Sequence, residues 1–585
     1  MELKTPYHKN AFFFVALTSW LVFRRLVDHL MQPQDLAWWL SLGILGIVQI
    51  LCYIILYRLG FHPLAKYPGT LFAACTDLWS VYWIIKGSRH LELHRQHQKF
   101  GTFVRHGPNR ISINSAAASR DLHHVNANTS LSDTYGSFKF FFGTEMSMTT
   151  LDDSLHMSRR KINATALTPT AVKNLERRIT PHVDSLIDIL KNGLKFPNVA
   201  KDECNEWGPS HNIEVLLKYC IADIMADTTF SHYWNAQGDP THRHFIHGFP
   251  QGVAGIHLTG HIPWIFRFNL HKVFFRNLLE GVTKLKAASN LFADNRASRD
   301  PEDGKGADIW STLQKAQDPI TGRGYLHEEL RSESGLLIIA GTDGLMTATT
   351  STLFYLLHNP SSLARLTREV RETFPLHTAN GPAITFAGPE LRGISYLYAC
   401  IDEAMRLSPP VPSILPRRAR RGGIVLEGEF FPEGTNIGIP HYSLHRNETY
   451  FPRALSYEPE RWMPKQPTQA SEHEKTEYDD AAPKDTGNQL RAGAGLATSY
   501  TPFGVGRYSC VGKHLAYQEM AYILARLVWL FDMRIEPGNT LGEGTGTGEW
   551  GRFKKGEYQL YDGFVSEQEG PVVQFRYRKD LTTTS

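Results

Sequence analysis

The segment 501–520 constrains this chain more than any other, because a glycine-rich turn leads to a cysteine and then to a helical pattern. Apolar residues recur at helical spacing from Leu515 onwards, which predicts that Cys510 lies just before a helix. Free N–H groups and the helix dipole at such a position stabilise negative charge, which favours thiolate over thiol. The glycines allow the backbone to approach a large flat group, and a haem iron held by a cysteine thiolate fits these features.

Two simpler interpretations of Cys510 stay open. It can be a buried cysteine at a helix cap, or it can form half of a zinc site with His514. The zinc interpretation is the weaker one, because no paired Cys/His cluster lies nearby in the sequence to complete four ligands.

The cysteine loop resembles the haem-binding loop of the cytochrome P-450 family of monooxygenases. The matching positions are Phe503, Gly506, Cys510 and Gly512. The resemblance implies that these residues bind the haem and that Cys510 ligates its iron. Tyr508 stands two residues before the cysteine, where the family has a basic residue. The adjacent Arg507 is therefore a candidate partner for a haem carboxylate.

Two further motifs follow the order found in the family. Glu403 and Arg406 lie three residues apart on one face of a predicted helix, and the sequence Pro-Glu-Arg-Trp at 459–462 precedes the cysteine loop. Alone, a Glu-x-x-Arg pair is a common surface pair worth about 0.2–0.5 kcal/mol. The resemblance implies instead that Glu403, Arg406 and Arg461 form a buried charge network that holds the fold around the haem.

A predicted basic helix carries candidate partners for the haem propionates. His156 and Arg160 lie four residues apart, hence on one face of this helix. The resemblance makes both of them propionate candidates, and Arg417 is a third, since a fixed guanidinium suits a carboxylate. For Arg159 and Lys161, a solvated basic face is the favoured interpretation.

The segment 333–358 is apolar all round, which predicts a helix in the middle of the globule. Asp343 and Gly344 break that pattern, and a buried carboxylate needs a reason. The resemblance supplies one, because this segment is similar to the family's oxygen-binding helix, with Asp343 as its acid. Gly344 stands where the family has threonine, and Thr347 is not an obvious replacement because it lies almost one turn further on.

Other segments predict smaller elements of the fold. Two β-rich runs at 101–113 predict a hairpin, and 570–578 predicts a strand preceded by a turn at 563–565 that reaches the cavity. Phenylalanines at 138–142 cluster in a predicted glycine-bounded loop, which covers the substrate or packs in the core. The unusually apolar segment 248–268 is expected to line a substrate entrance, enter the membrane interface or form ordinary core.

The N-terminal region predicts a membrane anchor. Residues 37–57 form an uncharged apolar run long enough to cross a bilayer, and no small-residue cleavage site suggests its removal. A shorter run at 11–23 is a second span, an interfacial helix or a signal-like segment. We therefore predict an anchor at 1–60 and a catalytic domain at 61–585. The latter contains a polar insertion at 466–499 that composition predicts to be disordered.

Composition excludes some other functions. The net charge is only +4, which gives no reason to expect nucleic acid as a partner. The six cysteines are scattered and show no disulfide framework, which favours a reducing compartment.

The resemblance implies a mainly α fold with a small β region, haem b as cofactor, and electrons from NADPH through a flavoprotein reductase. It further implies insertion of one oxygen atom from O2 into a hydrophobic, multi-ring or terpenoid-like secondary metabolite. The expected location is the endoplasmic reticulum membrane, with the catalytic domain facing the cytosol. Two alternatives remain: a haem-thiolate isomerase that rearranges a peroxide without a reductase, and a non-enzymatic membrane protein that uses haem as a sensor.

Overall fold

The computed structural model of the chain describes residues 20–22, 24–25, 28, 36–194, 206–299, 307–375, 384–463 and 499–578. Helices dominate these residues and the strands are short, so the predicted fold class is confirmed. The helices as far as residue 230 are α1 (Leu36–Leu56), α2 (Leu71–Cys75), α3 (Leu78–Ile85), α4 (Arg89–Phe100), α5 (Ala116–His123), α6 (Gly136–Phe142), α7 (Asp153–Ala166), α8 (Pro169–Asn174), α9 (Glu176–Lys191) and α10 (Ile213–Phe230).

The remaining helices and the strands complete the order of elements. The later helices are α11 (Arg243–His261), α12 (Trp264–Arg267), α13 (His271–Phe274), α14 (Arg276–Ala297), α15 (Ile309–Lys315), α16 (His327–His358), α17 (Pro360–Thr373), α18 (Pro389–Gly393), α19 (Ser395–Leu407), α20 (His441–Leu444) and α21 (Lys513–Leu530). The strands are β1 (Phe103–Gly107), β2 (Arg110–Ile113), β3 (Thr129–Leu131), β4 (Ser210–Asn212), β5 (Arg417–Ala419), β6 (Ile424–Leu426), β7 (Glu429–Phe431), β8 (Asn436–Gly438), β9 (Phe531–Ile535), β10 (Tyr561–Asp562), β11 (Ser566–Glu567) and β12 (Val572–Tyr577).

Helix α1 contains the predicted apolar run. The stretch Trp39–Phe61 has 23 residues and a mean hydropathy of 2.3, so it is long and apolar enough to cross a membrane. Its large side chains lie outside the core, and Ile44 is 62% exposed. The run at 11–23 lies largely outside the described residues, as does the insertion at 466–499 apart from Ser499.

A five-stranded sheet holds Arg417 in the interior. The predicted hairpin is confirmed by β1 and β2, which pair antiparallel with Val104 opposite Ser112. They begin a sheet with the order β1-β2-β8-β5-β3, in which β2 and β8 are parallel. Arg417 begins β5 opposite Ile437 of β8 and is buried. The predicted C-terminal strand is confirmed as β12, which pairs with β4 and β9 in a separate sheet.

The central helix of the globule is α16, as its apolar sequence predicts. It contacts α10, α14, α19 and α21, and most of its residues from Leu330 to Leu356 are buried. A Cβ at Gly341 would clash with the side chain of Met225 on α10, so glycine at this position permits the close approach of the two helices. This packing places Asp343 and Gly344 inside the protein.

The segment 138–142 corrects one expectation, because it forms helix α6 rather than a loop. Phe138 and Phe142, four residues apart, are both buried on one face, whereas Phe140 is 53% exposed. Gly143 ends the helix in the left-handed conformation, with φ +85°. The glycines that suggested a loop therefore flank a short amphipathic helix whose apolar face packs in the core.

The apolar segment 248–268 combines core and surface. Its buried residues Leu258, Ile262 and Ile265 pack against α3. Trp264 and Phe268 in the same segment are 50% and 65% exposed. The periodicity of the sequence does not separate these two environments, because the segment contains both the end of α11 and the short helix α12.

Glu403 is the centre of a buried network near α19. Arg406 donates from Nε and Nη2 to the two Glu403 oxygens at 2.9 Å each. Arg461 Nε and the backbone N–H of Glu458 each donate to Oε1 at 2.9 Å, and Trp462 Nε1 donates to Oε2 at 2.8 Å. The side chains of Glu403 and Arg406 are fully buried. The three charged residues named by the resemblance therefore meet in one ion-pair network.

Candidate active site

The cysteine loop is a tight turn that closes on α21. Cys510 lies shortly before the first residue of α21, as predicted, and its backbone N–H donates to the carbonyl of Phe503 at 2.8 Å. Gly506 has φ +70°, and a Cβ at this position would clash with the carbonyl oxygen of His123 on α5. The Phe503 ring lies 5.0 Å from the ring of Tyr517 on α21. Glycine is therefore required where the loop meets α5.

The sulphur of Cys510 faces an internal space. Its side chain has exposed surface, yet its surroundings are protein interior, and burial raises the pKa of the thiol. The N–H groups of Gly512 and Lys513 and the charge of Arg160 act in the opposite direction, but burial outweighs them. A metal ion would replace the thiol proton, and the N–H groups then stabilise the coordinated thiolate.

The donor set around Cys510 does not form a zinc site. Among the described residues, no three His, Cys, Asp or Glu side chains converge in a group that could hold a metal ion. A single thiolate with accessible surface would suit a haem iron, because the cofactor itself supplies most of the iron ligands.

His156 and Arg160 both reach the cysteine loop from α7. The ring nitrogens of His156 lie 2.6 Å from the carbonyl oxygen of Ser147 and 3.0 Å from that of Arg507. Burial lowers the pKa of His156, and a neutral ring donates to only one of these carbonyls. Arg160 Nη2 donates to the hydroxyl of Ser509 at 2.9 Å, and its Nη1 donates to the carbonyl of Ser509. Both predicted residues thus lie beside the loop that carries Cys510.

Arg417 is the predicted residue whose surroundings best suit an external carboxylate. Its guanidinium lies 4.2 Å above the centre of the Tyr508 ring and is buried, and burial lowers its pKa. No carboxylate of the described residues forms an ion pair with it; its nearest polar partner is the hydroxyl of Tyr135. A buried cation without an anion is costly, so this geometry fits a haem propionate beside Tyr508.

Arg507 is already engaged in contacts within the protein. Its Nη1 donates to Asp153 at 3.1 Å, and its Nη2 donates to the carbonyls of Val125 and Ala127 at 2.6 and 3.2 Å. A haem carboxylate would therefore compete with three existing contacts for the Arg507 guanidinium. The sequence does not indicate Asp153 as its partner, because the contact joins segments more than 300 residues apart.

Arg159 corrects the expectation of a solvated basic face. It is 3% exposed, and its Nη2 donates to Glu329 at 2.7 Å. Its guanidinium also lies 5.5 Å from the centre of the Tyr325 ring. The acid that neutralises Arg159 lies in the first turn of α16, so no pattern within α7 reveals it. Lys161 on the same helix is half-buried.

Helix α16 carries Asp343 and Gly344 in the interior of the protein, next to Pro410. The nearest atom to a Cβ placed on Gly344 is Cβ of Pro410 at 4.0 Å, so the space beside this glycine is open. Asp343 is buried with Oδ2 unpartnered, and burial raises its pKa to about 7. Thr347 is not free to replace the missing threonine, because its hydroxyl lies 3.0 Å from the carbonyls of both Asp343 and Ser566.

Asp343→Asn is expected to stabilise the fold, and to do so more at alkaline than at acid pH. Burial raises the pKa of Asp343 from 3.8 to about 7. Between these values the unfolded chain ionises while the folded protein keeps its proton, so stability falls as pH rises through this range. Asparagine removes that cost, which is at most about 4 kcal/mol above pH 7. Thermal unfolding at pH 5 and pH 8 checks this: a stabilisation equal at both values would contradict the ionisation argument.

Aromatic side chains surround the turn between β10 and β11. The predicted turn between β10 and β11 carries Phe564, which has φ +106°. The Phe564 ring lies 6.4 Å from Tyr135, 6.3 Å from Phe138 and 5.2 Å from His257. The turn is tied to the site because Ser566 donates its N–H to the carbonyl of Pro410 at 2.8 Å. The arrangement suits an apolar molecule held against Gly344.

Comparison with known proteins agrees with this geometry. The sequence profile described as "Cytochrome P450" matches residues 74–544. The chain is similar to the cytochrome P450 monooxygenase atnE of Emericella nidulans, with 29% identity over 522 residues that cover 89% of this chain and 93% of the relative. It is also similar to the cytochrome P450 monooxygenase AKT7 of Alternaria alternata, with 29% identity over 538 residues, 91% of this chain and 96% of the relative.

Proposed function

Because this chain belongs to the cytochrome P450 family of oxidoreductases, we propose that it inserts one oxygen atom from O2 into a hydrophobic, multi-ring secondary metabolite. The observation that carries the proposal is the Cys510 thiol facing an open space at the start of α21. Haem bound there supplies the activation of O2. The aromatic rings around Phe564 support a hydrophobic substrate.

Each predicted site residue has a proposed task. Cys510 ligates the iron, and the N–H groups of Gly512 and Lys513 stabilise its negative charge. Arg417, with Arg160 and His156 beside the loop, binds the propionates, and the flanking residues Phe503, Gly506 and Gly512 shape the loop; Arg507 contributes only if it leaves Asp153. Asp343 donates protons on the opposite side of the site, where its raised pKa keeps a proton available near neutral pH.

The proposed cellular setting follows from α1. We propose that residues 1–60 anchor the protein in the endoplasmic reticulum membrane and that the catalytic domain, 61–585, faces the cytosol. There a flavoprotein reductase delivers electrons from NADPH. The apolar stretch Trp39–Phe61 supports the anchor by its length and composition.

Spectroscopy and electron supply test the proposal together. The reduced full-length protein should show, on addition of CO, the band at about 450 nm that thiolate ligation produces. NADPH consumption with the reductase should increase when a hydrophobic substrate is added. Turnover without NADPH would favour the isomerase. A CO band without any NADPH-dependent product, across the metabolites of the source organism, would favour the sensor.

Gly344 leads to a proposal about the substrate itself. The family's threonine hydroxyl is absent, Thr347 is occupied, and the space beside Gly344 is open. We propose that a hydroxyl or carbonyl of the substrate, near the oxidised carbon, completes the proton path from Asp343. Water held in this space is the alternative partner.

Gly344→Thr is expected to restore coupling on substrate analogues that lack this oxygen. Wild-type protein should release hydrogen peroxide with such analogues, and the threonine should reduce that release at least about threefold by returning a hydroxyl. Gly344→Val is the matched control, since valine has the shape of threonine without its hydroxyl. Tight coupling of the wild type on analogues without the oxygen, or equal behaviour of the two variants, would refute the proposal.

The proposed topology predicts that Asn447 carries no glycan. The sequence has Asn-x-Ser/Thr sequons at Asn128, Asn163 and Asn447. Asn163 is 3% exposed and its amide donates to Glu333, and the Asn128 amide donates to the Arg421 and Gly423 carbonyls. Asn447 is therefore the informative position. Treatment with a glycosidase should leave the mass of the wild type unchanged and equal to that of Asn447→Gln apart from the substitution. A glycosidase-sensitive shift that the variant lacks would place the domain in the lumen.

A further inference from the structure

A group of basic side chains lies buried beside Phe564 and takes no part in the proposed chemistry. We call it the buried basic cluster. Its members are Arg89, His106, Arg110, His257 and His261. They come from α4, β1, β2 and α11, so the cluster is assembled from three separate regions of the chain.

Six side-chain nitrogens of this cluster are buried without a hydrogen-bond partner. Arg89 is 1% exposed, and neither its Nε nor its Nη1 donates to any acceptor. Both ring nitrogens of His106, Nδ1 of His257 and Nε2 of His261 are also buried and unpartnered. Buried polar groups in folded proteins are almost always paired, so several unpaired ones in one place indicate a missing partner.

Backbone contacts bring these residues together. The rings of His257 and His261 are 4.8 Å apart. A Cβ on Gly260 would clash with the carbonyl of Thr134, so the end of α11 is in direct contact with Thr134. Arg110 Nη1 donates to the hydroxyl of that same Thr134 at 3.0 Å. Just before α4, the carbonyl of Gly87 accepts a hydrogen bond from the backbone N–H of Asp562 at 2.9 Å.

Two carboxylates lie near the arginines of the cluster, but only one of them forms an ion pair. Asp77 lies 2.7 Å from Nε of Arg110 and neutralises it. Asp562 is the carboxylate near Arg89, but its oxygens accept the Ser413 hydroxyl and, at 3.4 Å, the Phe564 N–H. Arg89 forms no ion pair among the described residues. Burial, with the charges of Arg89 and Arg110 as smaller causes, lowers the pKa of all three histidines well below the ordinary value, so their rings are neutral at pH 7.

The cluster is continuous with the proposed active site. His257 lies 5.2 Å from Phe564, the residue at the tip of the β10–β11 turn. The same turn is bound to Pro410, whose Cβ lies 4.0 Å from the position of a Cβ on Gly344. The β10–β11 turn therefore connects the buried basic cluster, through His257, with the segment beside Gly344, through Pro410.

We propose that the buried basic cluster binds a carboxylate on the substrate, so that the enzyme acts on hydrophobic carboxylic acids. Arg89 supplies the charge and two unpaired N–H donors, and neutral histidines supply further donors. The bound carboxylate would hold the apolar part of the substrate against Phe564. Oxidation would then take place at a carbon remote from the carboxylate. The inference rests on the proposed monooxygenase function, which it narrows to a class of substrate.

A matched pair of fluorescent polycyclic probes tests this. Pyrenebutanoic acid and pyrenebutanol differ only in the terminal group, and both are titrated at neutral pH into the full-length holoenzyme in lipid nanodiscs, with empty nanodiscs as the blank. The wild type is expected to bind the acid at least about tenfold more tightly than the alcohol, as charge-assisted hydrogen bonds imply. Arg89→Gln should lose at least about tenfold in affinity for the acid and keep its affinity for the alcohol.

Two variants and one control separate binding from folding. Arg89→Lys keeps the charge and should retain part of the preference for the acid. His261→Leu removes one donor and should weaken binding of the acid while the affinity for the alcohol is unchanged. His271→Gln alters a buried histidine of α13 outside the cluster and should behave as the wild type. Equal affinity of the wild type for both probes, no binding of either, or equal losses in Arg89→Gln would overturn the inference. The reduced CO band, measured on each variant, reports the haem site independently.

Discussion

Replacement of Cys510 by serine removes the band at about 450 nm from the reduced, CO-bound protein, because that band requires a thiolate opposite CO. Turnover should fall by at least about 10³-fold, since a serine hydroxyl does not supply the electron density of a thiolate. The loop itself should persist, because its backbone contacts, such as the Cys510 N–H to the Phe503 carbonyl, do not involve the sulphur.

Cys75→Ser is the control for this experiment. Cys75 is a half-buried free cysteine at the end of α2, far in sequence from the loop, and its replacement should leave the spectrum unchanged. Both variants are measured after the haem content is determined by extraction. Retention of the band in Cys510→Ser would show that a different residue ligates the iron.

Replacement of Glu403 by alanine is expected to prevent the accumulation of folded protein, and not merely to slow turnover. The substitution leaves Arg406 fully buried without its carboxylate, and it removes the acceptor of Arg461 and Trp462. An unpaired buried charge costs about 3–5 kcal/mol, a large part of the stability of an ordinary domain. The yield of haem-loaded protein and its resistance to proteolysis measure the effect.

Glu458→Ala is the matched control, because Glu458 pairs with the exposed Arg453, and Arg461 keeps its pair with Glu403 when the Glu458 carboxylate is removed. Exposed pairs contribute about 0–1 kcal/mol, so this variant should fold in normal amounts. A Glu403→Ala protein that folds, binds haem normally and only turns over slowly would make Glu403 catalytic rather than structural.

The Glu403 network also predicts that the stability of the fold depends on pH in the acid range. Burial alone would raise the pKa of Glu403, but Arg406, Arg461 and the Glu458 N–H hold it below the ordinary 4.5. Its contribution to stability is therefore present above pH 4.5 and is lost as pH falls through the lower folded value.

The sequence alone predicted the features that depend on short stretches of chain. The apolar sequence of α16 and the glycine-cysteine pattern before α21 reflect local geometry. Both helices lie where these patterns predict them. Motif order added the Glu403–Arg406–Arg461 network, because a family resemblance carries contacts between distant segments that spacing alone does not reveal.

Tertiary structure alone decided which polar side chains have partners. Arg159 and Arg160 are adjacent in one basic helix, yet one is neutralised by Glu329 and the other meets the cysteine loop. Arg507 beside the expected basic position binds Asp153 instead. Arg89 is buried with its Nε and Nη1 unpartnered. The reason is physical: helix periodicity depends on neighbours a few residues away, whereas the burial and pairing of a charge depend on segments that meet only when the chain has folded.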